Sequence, residues 1–270
     1  MKILTKGTYF GERKLELNFD GIILSEYAYH EPNTPWHYHE NPYFMYVLQG
    51  NMYDYNKKQK STCPTGSILY NNWQETHSNS KESKFARGFH LEFERDWFDQ
   101  KKIDISLWEG SQVLQDPRIH HLFGKIYYEF INQDAYSKAS IELLLLQLCE
   151  TIGNSKAISI KNPPTWIAPL KELLHYSTEN IDLKFLSKQL GVHPVHLSRA
   201  IPKYLSCSLG EYMRQQKIKQ SLGYLLNADH SLTEIAYLCG FSDQSHFSRL
   251  FKNYFQRTPT AFRKHLKINS

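Results

Sequence analysis

Residues 231–255 read SLTEIAYLCGFSDQSHFSRLFKNYF, a stretch that implies two short helices and a turn. Ser231 and Glu234 have the S-x-x-E spacing of a capping box, in which each side chain satisfies a free backbone N–H at a helix start. Leu232, Ile235, Ala236 and Cys239 follow at i, i+3, i+4 and i+7, which makes one apolar stripe. Gly240 is placed to end that helix, because glycine takes the left-handed conformation of a C-terminal cap. Phe241 is expected to pack back into the angle between the helices, and Ser242 to cap the second one. There Phe247, Leu250, Phe251 and Tyr254 repeat the apolar spacing.

The opposite face of the second helix carries Gln244, Ser245, His246, Ser248, Arg249 and Lys252, which are polar or basic. Arginine can grip the O6/N7 edge of guanine, glutamine can do the same for adenine, and lysine neutralises phosphate. Two helices about a glycine turn with such a face form a helix-turn-helix. An ordinary helical hairpin with a solvated charged face is the bland alternative. The run GFSDQSHFSRLFK, with Pro259 and Arg263 beyond it, closely resembles the second helix-turn-helix of AraC-type (AraC/XylS) transcription regulators. That resemblance implies a bacterial regulator with a seven-helix domain that binds double-stranded promoter DNA, most relatives activating transcription beside RNA polymerase.

A second copy lies upstream. Leu183, Leu186, Leu190 and Gly191 precede the equivalents by 49 residues, and Leu197, Ser198, Arg199, Ile201 and Tyr204 by 50. A further apolar helix through Trp166, Leu170, Leu173 and Leu174 stands before it, and a long one through Tyr212, Ile218, Leu222 and Leu225 joins the copies. Two reading helices held in one chain can enter successive major grooves about 10 base pairs apart. In the first copy Val195, His196, Ser198 and Arg199 are expected to face DNA. Pro202 stands where the second copy has Lys252, so a phosphate contact is lost and the helix is expected to end or kink near Ile201.

Charge supports this division. From Pro163 onward there are 14 Lys+Arg against 7 Asp+Glu, whereas the first 162 residues hold 18 against 20. A basic C-terminal part behind a near-neutral one fits a polyanion held by one domain only. At 270 residues the chain has room for two domains. The N-terminus has no apolar core of signal-peptide length and no run long enough to span a bilayer, so a cytoplasmic protein is expected. Four widely spaced cysteines without a C-x-x-C pair point to buried free thiols.

The first 110 residues are aromatic-rich and broken by turn-like clusters, a pattern of several short strands in a sandwich or barrel. WHYHENPYFMYVLQG, from Trp36 to Gly50, resembles the first motif of cupin barrels, and PTGSILYNNWQETH, from Pro64 to His77, the second. The fold expected is therefore two-domain, β plus all-α. Metal-binding cupins use two histidines and a carboxylate from the first motif and a histidine from the second. His37 and His39 match the pair and share a strand face. Tyr43 or Phe44 stands at the carboxylate position, Glu40 faces away, and Leu69 occupies the later histidine position, with His77 a late substitute. Hydrogen-bonded pocket residues, with no metal and no cofactor, are the reading adopted, and no catalytic residue is assigned. Barrels of this kind enclose small molecules, and His37, His39, Tyr46, Trp73 and His77 are the candidate ligand contacts.

After Gly110 the pattern turns helical. Pro117 can start one helix, with Ile119, Leu122, Phe123 and Ile126 on one face. A second, from about Ala135 to Ile152, is apolar almost all round and is expected to be buried on more than one side. The resemblance implies a homodimer interface there. The run from Gly153 to Pro164 reads as a linker, giving domains at 1–152 and 165–270. Two other readings stay open: a ligand-free dimerisation scaffold, and a metallo-cupin enzyme with a DNA-binding appendage.

Overall fold

Side-chain alternation along three strands sorts the N-terminal part into two cores. The computed structural model describes residues 2–105, 108, 110–157, 163–176, 181–205, 207–226 and 230–268. Strands β3 (Ile22–Tyr29), β5 (Tyr43–Gln49) and β10 (Ala86–Phe93) are buried along nearly their whole length, as strands covered on both faces must be. Leu24, Phe44, Tyr46, Phe89 and Leu91 point to one core. Tyr27, Tyr29, Tyr43, Met45, Val47 and Ala86, of opposite parity, point to the other. With β2 (Glu12–Phe19), β8 (Ile68–Asn71) and β11 (Gln112–Leu114), these strands form a six-stranded sheet in the order β11-β8-β5-β10-β3-β2.

The facing sheet has the order β1-β4-β9-β6-β7, from β1 (Lys2–Leu4), β4 (His37–His39), β9 (His77–Lys81), β6 (Met52–Asn56) and β7 (Lys60–Cys63). Met52 and Cys63 of this sheet join the second core, so the interior lies between the sheets. All neighbours are antiparallel except β1 and β4. The expected barrel-like architecture is therefore present.

The outer face of the six-stranded sheet is covered by helices α1 (Arg95–Gln100), α2 (Pro117–Asn132) and α3 (Ser137–Ala157). Pro117 does open α2, with Asp116 accepting from the Arg118 N–H as cap. On that face Arg87 and Glu26 form a fully buried ion pair, and Tyr127 of α2 donates to the second Glu26 oxygen at 2.9 Å. Helix α3 departs from expectation twice. It runs through Gly153 to Ala157 where a linker was read, while residues 158–162 lie outside the described ones. It is also covered on one side only, by α2 and the core. Tyr136 just before it is 78% exposed, and Leu143 and Leu146 on its outer side are 58% and 39% exposed.

Seven helices are described in the C-terminal part: α4 (Ile167–Tyr176), α5 (Leu183–Leu190), α6 (Pro194–Leu205), α7 (Leu209–Leu226), α8 (Leu232–Leu238), α9 (Gln244–Phe255) and α10 (Pro259–Ile268). Helices α6 and α9 have 12 residues each and start and stop 50 positions apart, so the repeat is structural. The capping box at Ser231 and Glu234 is formed, and Gly191 and Gly240 both take left-handed φ angles, +65° and +71°. Two expectations are corrected. Asp243, not Ser242, caps α9: its carboxylate accepts from the His246 N–H at 2.7 Å, while the Ser242 hydroxyl lies against the His246 ring and Asp243. Helix α6 continues through Pro202 to Leu205, because Leu197 and Ile201 before the proline and Leu205 after it are all buried in one local core.

The two copies are cored differently. Helices α4, α5 and α6 share a separate cluster with the start of α7. Ile235, Phe247, Phe251, Phe255 and Phe262 instead merge with the outer core of the sheet. The join is close at Gly124 of α2, where an added Cβ would lie 2.7 Å from the Tyr254 carbonyl oxygen. All four cysteines are free, three buried and Cys207 partly exposed. Among the described residues no helix is long and apolar enough to cross a membrane.

Gly124→Val should cost about 1–3 kcal/mol through overpacking. Gly223→Ala, on the exposed side of α7 with nothing within 4 Å, should raise stability by about 0.5–1 kcal/mol. Urea midpoints at constant slope read both.

Candidate DNA-reading face and barrel interior

In α9 the buried residues Phe247, Phe251, Tyr254 and Phe255 occupy one side. The predicted contact residues lie outside it. Gln244, Ser245, Arg249 and Lys252 are exposed, and His246 and Ser248 are partly so. In α6, Val195, His196, Ser198 and Arg199 are all exposed. Several of these side chains are held in place. Gln244 accepts from the Thr233 hydroxyl of α8 at 2.7 Å, and His246 Nδ1 lies 3.0 Å from the Ser242 hydroxyl. Ser198 donates to the Val195 carbonyl, and the His196 ring stands edge-on to Trp166 at 6.1 Å. Arg199, Arg249 and Lys252 form no salt bridge among the described residues. A hollow lined by Ser242, Asp243, Ser245, His246 and Arg249 opens at the start of α9. Free cations beside ordered amide and hydroxyl groups are what phosphate and base-edge contacts require.

Of the five candidate ligand contacts, the barrel brings three together. His37 and His39 point inward from β4, and His77 of β9 sits opposite His37 in register. One ligand nitrogen from each lies within 4.8 Å of the others. Tyr46 and Trp73 are not part of this group. Tyr46 has the opposite parity to Tyr43 on β5 and packs against Phe123 of α2, in the outer core. Trp73 is on the loop after β8, partly exposed, with the Arg95 guanidinium 4.0 Å above its ring.

The interior also collects residues absent from the sequence-based set. Tyr9, Tyr43, His90, Glu92 and Asp54 line it with the histidines. Asn71 donates to the Tyr43 oxygen at 2.7 Å, and Tyr43 lies 3.1 Å from His77 Nε2. His77 Nδ1 lies 3.0 Å from the Glu75 carbonyl, and His37 Nδ1 2.8 Å from that of Pro35. A carbonyl can only accept, so both Nδ1 atoms are donors and both Nε2 atoms carry lone pairs. Three imidazole nitrogens suit zinc-like ions in donor type. His77 Nε2, however, is already engaged by Tyr43, and no carboxylate belongs to the group. Period-2 spacing of His90 and Glu92, or of Tyr27 and Tyr29, is the signal that could have found the additional residues.

Burial sets the charges here. It pushes His37 down to about 4 and His90 to about 3, and it lowers His39 and His77 as well. It pushes Asp54 up to about 7, and Asp54 Oδ2 has no hydrogen-bond partner among the described residues. Neutral histidines in the fold contribute stability that is complete above pH 6.5 and is lost as pH falls through their folded values. Asp54 acts oppositely: its contribution is complete below about 4 and is lost as pH rises through about 7. Seven lowered histidines, the four named with His120, His121 and His265, outweigh the two raised carboxylates, Asp54 and Glu92. The urea midpoint should therefore fall between pH 6.5 and 4, each unit of pKa displacement being worth about 1.4 kcal/mol. A His90→Gln chain should show a shallower fall.

A family model described as an AraC-like ligand binding domain matches residues 21–149, and one described as a helix-turn-helix domain matches residues 186–265. Probable transcription factor PqrA of Proteus vulgaris is 35% identical over 86 residues, 32% of this chain and 70% of that protein. HTH-type transcriptional activator RhaS of Salmonella paratyphi A is 27% identical over 162 residues, 59% of this chain and 58% of that protein. Among solved structures, an apo variant of ToxT from Vibrio cholerae is 12% identical with a TM-score of 0.42, over 92% of this chain and 98% of its own. By its ligand-binding and helix-turn-helix matches together, the chain belongs to the AraC family of transcription regulators.

Proposed function

We propose that the chain is a sequence-specific transcription activator, working in the cytoplasm, that reads promoter DNA with α6 and α9 and answers to a small molecule in its barrel. The observation that carries this reading is the paired geometry. Two helices of equal length, 50 residues apart, each present an exposed arginine at the same position, free of ion pairs among the described residues. The name of RhaS, a transcriptional activator, supports activation, and contact with RNA polymerase goes with it. In this reading residues 1–152 sense and dimerise, 153–164 connect, and 165–270 bind DNA. Footprinting the purified protein on DNA selected from its own genome tests it. Protection of two adjacent groove segments per protomer is expected, and the absence of any selected site would overturn it.

The two reading helices are unequal. Pro202 cannot supply the phosphate contact that Lys252 can, so the second copy contributes more affinity. Arg249→Ala should lose about 1–3 kcal/mol of binding, and Arg199→Ala less, as measured by titration of a footprinted site. The reverse order would sink the ranking.

The exposed side of α3 pairs two copies, Leu143 and Leu146 being the apolar contacts that one chain leaves uncovered. Leu143→Glu should shift the sedimenting species from dimer to monomer, because a buried unpaired carboxylate is costly. A native chain that sediments as a monomer would remove this part. One observation favours a second reading, a metal-holding barrel: the grouping of His37, His39 and His77. Stoichiometric metal in protein purified without chelators would support it.

A further inference from the structure

Residues 5–10 belong to no strand. They leave β1, a three-residue edge strand paired to β4, and run to β2 past the Glu92 end of the interior. Tyr9 turns its ring inward from this segment. It stacks on His90 with ring centres 3.8 Å apart and planes 23° from parallel. The edges of Tyr27 and Tyr43 meet it at 5.3 and 5.2 Å, and His39 lies 4.9 Å away. Its hydroxyl donates to Glu92 Oε2 at 2.9 Å, beside the Gly7 N–H at 3.0 Å.

The walls of this slot come from β3, β4, β5 and β10, whereas the ring that fills it comes from outside the strands. Asn41 donates to the other Glu92 oxygen from the wall, so the carboxylate stays oriented without Tyr9. Tyr9 is half-buried as a residue, with its ring turned into the interior. An aromatic slot ending in a carboxylate recognises a flat ring that carries a hydroxyl donor. Tyr9 is such a ring, delivered by the chain itself.

We propose that Tyr9 is a tethered occupant of the effector site, and that the effector is a small single-ring phenol that takes its place and frees residues 5–10. This inference rests on the reading of the barrel as the effector domain. A tethered ring competes at high effective concentration, so a free phenol binds the native chain with its affinity reduced to the fraction of open slots.

The test uses p-cresol, the tyrosine side chain as a free molecule, titrated calorimetrically into the full chain. Tyr9→Ala should bind it at least about tenfold more tightly than the native chain. Tyr9→Phe, which keeps the ring and loses the bond to Glu92, should fall between them. Toluene should bind Tyr9→Ala at least about tenfold more weakly than p-cresol, since it offers Glu92 no donor. In the native chain, saturating p-cresol should open the Gly7 amide to hydrogen exchange, a readout that needs no variant.

Equal affinity of the native and Tyr9→Ala chains, or binding that leaves Gly7 protected, would overturn the proposal. Footprints on the same samples separate it from the reading beneath. Release of Gly7 with unchanged DNA protection supports the phenol site and removes control of DNA by the barrel. Intact DNA protection with no p-cresol bound to any of the three chains overturns the phenol site alone.

Discussion

Everything in this molecule depends on covering both faces of one six-stranded sheet. Its central strands carry large apolar and aromatic side chains on both faces, so neither face can be left to water. The outer face includes a full charge pair, Glu26 and Arg87, with Tyr127 of α2 supplying a further bond to Glu26. Removing one partner from such a pair costs about 3–5 kcal/mol, because the other charge is left buried and uncompensated. The pair ties β3 to β10, and the tyrosine ties both to α2. Helix α2 is thereby fixed as the plate on which the rest is assembled.

On its far side that plate meets the second helix-turn-helix. The backbone approach at Gly124 admits no side chain, and His121 and Tyr127 reach Tyr254 and Phe262 across the join. Linear order divides the chain near residue 160, but packing divides it elsewhere. One body runs from the outer sheet through α2 to α8–α10, and a smaller one holds α4–α6. The stretch of sequence that looks most independent, the second reading motif, is the one most deeply joined to the barrel.

What the sequence made legible was local. Capping box, left-handed glycine, proline at a helix start and a repeat offset are each written within a few residues, and each has its counterpart in the fold. The interior was legible only in part. His37, His39 and His77 could be placed because strand parity and motif resemblance agreed. Tyr9 could not, since its meeting with His90 and Glu92 depends on contacts across more than 80 residues. Tyr46 shows how parity decides such matters. It is three positions from Tyr43, an odd number, and so lies on the other side of the sheet. Pro202 shows the opposite limit: a strong local signal for a helix end was overridden by buried neighbours on both sides of it.

The separate core of α4–α6 also gives the two motifs different local stabilities. A segment with its own small cluster can unfold sub-globally at a free energy below that of the whole, whereas α9 opens only with the sheet's outer core. The first motif can therefore melt at a lower free-energy cost than the second while the barrel stays folded.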